Sequence, residues 1–157
     1  MTRVGRAERI EADIESVWQI IADLGGWPRW IDAPYASRSV AITSAGQVGP
    51  GCEFVLQGRL PFHLFARIVE WEPRRTLRYE VVRSEYPSDR LFLRRASAGF
   101  ALEELEGGVT KVTYEQTAES KGPLGRLYMA TVFRFLLRSN ADRVLAGLQG
   151  AVEAPTR

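Results

Sequence analysis

A long stretch of strand patterning that ends in one apolar helix constrains this chain more than any other feature. Residues 38–120 hold six period-two or β-branched runs, and residues 124–152 then read as a single helix. A strand-like run at 4–10 and a short helical pattern come first. A long helix laid across a curved antiparallel sheet is hard to pack solid, because the two surfaces do not match in shape. Such a layout usually encloses a cavity, so a small-molecule-binding protein is the first expectation.

The chain has 157 residues, the length of one domain, and the core is expected at about 3–152 within a single unit spanning 1–157. Hydrophobic residues at 45% and charged residues at 25% suit a soluble globular protein. Cys52 is the only cysteine, which excludes an internal disulfide framework and fits a reducing, cytoplasmic setting. Residues 1–9 are charged and lack the apolar centre of a signal peptide, and no apolar run reaches the ~20 residues of a membrane span. Stable membrane insertion is therefore not expected. A net charge of +2 is too weak a bias to argue for nucleic acid.

Asp13 stands where a helix N-cap belongs, and Val17, Ile20, Ile21 and Leu24 follow at helical spacing. Gly25-Gly26 ends that helix, and 27–31 add a second short turn. The later strands are read at 38–43, 52–59, 63–71, 76–84, 96–105 and 110–120. Turn signals separate them at Gly46, Gly49-Pro50-Gly51, Pro61, Glu72-Pro73, Tyr86-Pro87-Ser88-Asp89 and Gly107-Gly108. Short links between consecutive strands imply antiparallel hairpins. The class is α+β: about seven strands, helices on one side, and a long C-terminal helix after Gly122-Pro123.

Four motifs occur in a telling order: Glu11-Ala12-Asp13-Ile14-Glu15-Ser16-Val17-Trp18, Trp27-Pro28-Arg29-Trp30, Val48-Gly49-Pro50-Gly51-Cys52-Glu53-Phe54 and Val69-Glu70-Trp71-Glu72-Pro73-Arg74-Arg75-Thr76-Leu77. This resembles the helix-grip superfamily of START lipid-transfer domains, pollen-allergen-like proteins and polyketide cyclases/dehydrases (SRPBCC), over about residues 3–152. The resemblance implies a seven-stranded curved antiparallel sheet gripping the C-terminal helix, with a deep apolar cavity between them. It implies no single chemistry, since the fold hosts carriers, sensors and enzymes. Laid against aromatase/cyclase members, Arg67 falls near an inward arginine that orients a poly-keto substrate, and Tyr35 near a pocket tyrosine. The serine those enzymes carry two residues before the arginine is Phe65 here. The family often forms homodimers.

Alternation suggests which side chains face the cavity. On 76–84, Leu77, Tyr79, Val81 and Arg83 share the inward face; on 96–105, Ala98, Phe100 and Leu102 do. The small Ala96 and Ala98 would leave room. On 110–117, Val112, Tyr114 and Gln116 are read as inward. On 63–71 the sides stay open, with Phe65, Arg67, Val69 and Trp71 against Leu64, Ala66 and Ile68. The first half of the last helix is apolar almost all round, which suggests burial on more than one side. Met129 and Phe133 would line the cavity from above, and Trp30 and Phe54 complete the candidate ligand-binding set. Tyr79, Arg83, Tyr114 and Gln116 are its candidate orienting polar groups; the bland alternative leaves them at the sheet rim in water.

His63 is the only histidine, and with one cysteine it makes no metal site, so neither metal nor cofactor is expected. His63 reads as a strand-start residue before a general base, and Cys52 as a packing residue before a nucleophile. The glycines at 46–51 lack phosphate-loop spacing. Arg126, Arg134 and Arg138 read as a solvated helix edge rather than a membrane-surface face.

Three functions remain open. The first is a polyketide cyclase/aromatase/dehydrase-like enzyme, in which Arg67 steadies an enolate and Tyr35, Tyr79 or Tyr114 donates protons. The second is a non-catalytic carrier or sensor of a lipid, quinone or polyketide intermediate. The third is a protein-interaction module that exposes Trp27, Trp30 and residues 61–65.

Overall fold

The computed structural model describes residues 1–32 and 38–154. Seven strands form one antiparallel sheet in the order β1-β7-β6-β5-β4-β3-β2. They are β1 (Thr2–Ile10), β2 (Ser39–Ile42), β3 (Glu53–Gln57), β4 (His63–Glu72), β5 (Thr76–Ser84), β6 (Leu93–Leu105) and β7 (Val109–Ser120). Only the β1–β7 contact joins strands distant in sequence, and it is made because α1 (Ile14–Ala22) and the 3₁₀ helix Leu24–Arg29 carry the chain across the concave face. The α+β helix-grip expectation is met.

Local chemistry sets the N-terminal helices. The Asp13 carboxylate accepts from the Ser16 backbone N–H at 2.9 Å and from the Ser16 hydroxyl at 2.7 Å, so one side chain caps the helix twice. The Trp27 indole N–H donates to the Ile21 carbonyl at 2.8 Å inside the core. That bond satisfies a buried donor and folds the 3₁₀ helix back against α1. The Thr110 hydroxyl ties the β1–α1 corner to β7 by donating to the Ala12 carbonyl at 2.8 Å.

Two bulges decide which residues face inward. Between Phe65 and Ala66 the partners on β5 step from Arg83 to Val81, and between Ile68 and Glu70 those on β5 step from Tyr79 to Arg78. Val82 and Val69 are the extra residues, and both are exposed. Leu64, Ala66 and Ile68 therefore face the core, and Trp71 rejoins them to pack edge-on against Trp18 at 5.2 Å. Phe65 and Arg83 instead share the outer face, with the guanidinium 3.9 Å above the ring. An inward Arg83 is thus corrected: strict alternation ends at the Val82 bulge.

The turn expected at Tyr86–Asp89 is a short helix, α2 (Pro87–Phe92). Pro87 sits in its first turn, where a missing N–H costs nothing. The Ser84 hydroxyl accepts from the Tyr86 N–H and donates to Asp89, which holds the helix onto the end of β5.

The C-terminal helix runs as α3 (Gly122–Tyr128), a π-helical turn (Met129–Phe133) and α4 (Arg134–Glu153). Gly122 has φ of 64°, the left-handed conformation that turns β7 into the helix. Leu137, Asn140, Ala141, Val144, Leu145 and Leu148 form its buried stripe. Burial on more than one side is not found, because Leu124, Leu127, Val132 and Phe135 are exposed. Only one side of this segment meets the sheet, through Met129, Phe133 and Leu137 against Val4 and Ala118.

Near its other end α4 meets the chain after the 3₁₀ helix at Gly147. A Cβ built there would overlap the Trp30 carbonyl oxygen, a rigid backbone atom. Gly147→Ala must therefore push α4 off the N-terminal helices. Overpacking of this kind costs roughly 1–3 kcal/mol, or about 2–12 °C in Tm for a chain of this size. Thermal unfolding followed by circular dichroism checks it, with Gly150→Ala, where a Cβ meets nothing within 4 Å, as the harmless control.

Candidate functional site

Under the helix the sheet leaves a cavity of about 80 Å³. The pleat supplies its walls: Tyr79 and Val81 from β5, Ala96, Ala98 and Phe100 from β6, Tyr114, Gln116 and Ala118 from β7. Phe133, Leu137, Asn140 and Val144 close it from the helix, and Trp27 and Ile31 from the side. Ala96 and Ala98 on β6 help make the space, since a larger side chain at either would enter it. The volume is well below the ~300 Å³ at which ligand pockets usually begin, so the described residues enclose a small apolar space and not the deep cavity expected from the sequence.

A chain of polar groups crosses this apolar space. The Gln116 side-chain amide donates to the Leu137 carbonyl at 2.7 Å, and its oxygen accepts from the Asn140 amide at 2.6 Å. The Leu137 carbonyl can only accept, so it fixes the Gln116 orientation, and Gln116 in turn fixes Asn140. Asn140 Oδ1 is left buried with no hydrogen-bond partner, on a residue that is 8% exposed. Beside it the Tyr114 hydroxyl interacts with the Tyr79 hydroxyl and with the Asn140 side chain. Burial raises the pKa of Tyr79, and raises that of Tyr114 well above the phenol range, with Tyr79 adding to the effect on Tyr114. Both are neutral O–H groups at neutral pH.

At the neck of the cavity stands Asp89. Its Oδ2 accepts from the Ser84 hydroxyl at 2.8 Å, while Oδ1 is buried without a partner. Burial pushes its pKa up, and Ser84 only partly offsets that. Asp89, Val81, Leu93 and Ala96 line both the cavity and a wider vestibule of about 770 Å³ outside it, between β5, α2 and the start of β6.

A sequence model for polyketide cyclases/dehydrases and lipid transport matches residues 1–153. The chain belongs to that family. No curated protein matches it in sequence. Among solved structures, the aromatase/cyclase ZhuI from Streptomyces sp. R1128 superposes with a TM-score of 0.76 at 15% identity, covering 97% of this chain and 93% of that one. A START superfamily protein from Mycobacterium smegmatis gives 0.74 at 15% identity, over 96% and 97%. The di-domain aromatase/cyclase BexL gives 0.74 at 15% identity; the match covers 98% of this chain and 48% of that one. At such identities the likeness is one of fold.

Within this family frame, Tyr79, Val81, Ala98, Phe100, Tyr114 and Gln116 line the cavity from the strand faces that alternation assigns inward, and Phe133 lines it from the helix. Phe54, Trp30 and Met129 stand one layer back. Phe54 packs on Trp27 and Tyr79 at 5.9 and 5.5 Å, Trp30 on Phe100 at 6.2 Å, and Met129 on the second core cluster. Phe65 and Arg83 lie on the outer face. Arg67 does too, half-exposed and bound to Glu80 at 2.6 Å, so the inward arginine that the resemblance implies is corrected. The reason is register: Leu64, Ala66 and Ile68 occupy the inner face of β4, and Arg67 alternates with them. Tyr35 lies outside the described residues. His63 pairs with Glu85 at 2.7 Å at the start of β4 and does not line the cavity. Trp27 is fully buried rather than an exposed interaction anchor. Among the described residues no group of three or more His, Cys, Asp or Glu side chains could hold a metal ion.

Asp89 and Asn140 were absent from the sequence-derived set. Asn140 carried a signal, being a polar residue on the buried stripe of α4 between Leu137 and Val144. Asp89 carried less, because Pro-Ser-Asp marks a turn as readily as a helix start.

The buried Asp89 has a folded pKa above its unfolded one, so the folded chain holds the extra proton between the two. Stability from this group is full below the unfolded carboxylate pKa and falls as pH rises through the folded value. Asp89→Asn keeps an acceptor for Ser84 and removes the charge. Its Tm should exceed that of the parent chain at about pH 7 and equal it at about pH 3 in paired thermal melts.

Proposed function

We propose that this chain binds an apolar, largely planar small molecule in the cavity beneath the C-terminal helix, with one polar group turned toward Asn140, Tyr79 and Tyr114. The observation that carries this is the unpartnered Asn140 Oδ1. A buried acceptor left without a donor costs free energy, on the order of 1–3 kcal/mol. A ligand hydroxyl or enol would recover that cost. The cavity and vestibule share four wall residues, so a ligand larger than the small enclosed space would spread the neck and occupy both. The single buried cysteine suits a reducing compartment, and a cytoplasmic carrier or enzyme is the setting proposed.

The test compares ligands that differ in one donor. Binding of 2-naphthol should exceed that of 2-methoxynaphthalene by roughly three- to tenfold, the worth of one net hydrogen bond. Isothermal titration and native mass spectrometry would both report it. Ala98→Phe, which fills the cavity, should abolish binding of both. Equal affinities for the two naphthalenes, or binding that survives Ala98→Phe, would remove the assignment.

A second reading, cyclase/dehydrase chemistry without a cofactor, is favoured by Asp89. Its free oxygen at the neck can take a proton from the carbon next to a ketone. The Tyr79 hydroxyl, on the same cavity wall, can protonate a departing hydroxide, so that a β-hydroxyketone loses water and forms a double bond. The family description and the aromatase/cyclase name of one structural relative agree with that class. With a β-hydroxyketone substrate, Asp89→Asn should lower kcat at least roughly 100-fold while binding persists. Turnover that survives the change leaves the carrier reading alone standing.

A further inference from the structure

The vestibule outside the neck is cationic, and nothing in the binding reading above uses that. Arg83, Arg90, Arg94, Arg95 and Lys121 line it, against only Glu85 and Asp89. The whole chain is nearly balanced, with 21 Lys and Arg against 19 Asp and Glu, so five cations around one opening are a local excess. The acids there are largely spoken for. Glu85 is bound by the His63 ring and by the His63 backbone N–H. Asp89 gives one oxygen to Ser84 and faces the cavity.

The cations differ in how engaged they are. Arg94 reaches Glu119 at 3.6 Å, Arg83 lies over the Phe65 ring, and the Lys121 ammonium donates to the Arg90 carbonyl at 3.0 Å. Arg90 and Arg95 make no ion pair among the described residues. They flank an opening whose inner wall is Leu93, Ala96 and Val81, the residues that continue into the apolar cavity. An apolar channel that ends in unpaired guanidinium groups matches a molecule with an apolar body and an anionic end. A flat basic stripe for nucleic acid would not lead into an enclosed apolar space.

We propose that the vestibule is an anion subsite, and that the natural ligand of this chain carries a carboxylate or phosphate at the end that protrudes from the cavity, held by Arg90 and Arg95. The proposal rests on the binding reading above and adds the class of ligand. Two sources share this chemistry: a free acid, whose carboxylate seats there, and an activated thioester, whose phosphate-bearing arm does. Guanidinium groups bind either in a forked pair of hydrogen bonds.

Four eight-carbon probes test it: octanoate, methyl octanoate, 1-octanol and octanoyl-coenzyme A. Each is titrated calorimetrically at about 50 mM and about 300 mM salt, where screening lengths differ by more than twofold. The expected result is that octanoate, octanoyl-coenzyme A or both bind at least tenfold more tightly than the neutral ester and alcohol, with the gap shrinking at high salt. Preference for octanoate points to a free acid, and preference for octanoyl-coenzyme A alone to a thioester. In the Arg90→Glu/Arg95→Glu double variant, shown to be folded by its thermal melt, the gap should close. Anionic and neutral probes binding equally well would overturn the subsite and leave the cavity reading intact, as would a preference that survives the double variant. No binding by any probe, with the naphthalene test also negative, would overturn both.

Discussion

The arrangement depends on one buried polar bridge. Gln116 projects from the middle of β7 into the concave face and joins the C-terminal helix at two points, the Leu137 carbonyl and the Asn140 amide. Apolar contacts alone would let the helix settle until the space beneath it vanished, since packing rewards every void removed. A glutamine of fixed length, whose amide must stay paired once buried, sets a minimum separation instead. The aromatic floor of Trp27, Phe54, Phe100 and Tyr79 answers the same problem from the other side. Its rings meet edge-on or tilted at 5.5–6.2 Å rather than collapsing into the gap.

Polar atoms left unsatisfied in this core are concentrated where the cavity is. Asn140 Oδ1 and Asp89 Oδ1 both border it, at the inner wall and at the neck. Each is a standing cost to the fold, and a fold selected for stability alone would have replaced both with apolar groups. The surrounding core is apolar and well filled, so the two defects read as placed rather than tolerated. On the proposed binding reading their separation would order a ligand, with an outer end near the carboxyl group and the cationic vestibule and an inner end near the amide and the phenols.

The sheet was legible because its chemistry is repetitive. Strand β5 ends where the run of β-branched and aromatic residues ends, and Tyr79, Ala98, Phe100, Tyr114 and Gln116 fall on the cavity side because alternation holds without interruption along those stretches. Where backbone geometry departs from the repeat, the pattern loses its hold. Val82 and Val69 look like ordinary strand residues, yet each is an extra residue that turns the following side chain over, which puts Arg83 outside and Trp71 inside. Arg67 shows the opposite failure. Its local alternation is ambiguous, and only the likeness to cyclases implies an inward side chain, whereas Ala66 and Ile68 are the core residues of that strand. Asn140 is hard to read as a site residue because it stands on a stripe whose other members, Leu137, Ala141 and Val144, are apolar. The apolar girth of α3 implied a second covering layer that the described residues do not supply.

The tight contact at Gly147 has a mechanical consequence. At that point α4 touches a rigid backbone and can slide nowhere, so it behaves as a fulcrum. Phe133, above the cavity, lies fourteen residues away, about 21 Å along the axis at 1.5 Å per residue. A rocking of the helix by about 5° around Gly147 would lift the Phe133 end by about 2 Å while leaving the pivot undisturbed. The π-helical turn lies at the lifted end, where the helix's regular bonding is already interrupted. A small angular change at one end of a stiff rod would thus become a change in cavity height at the other, opposed by the Gln116 bonds to Leu137 and Asn140, which lie between pivot and lifted end.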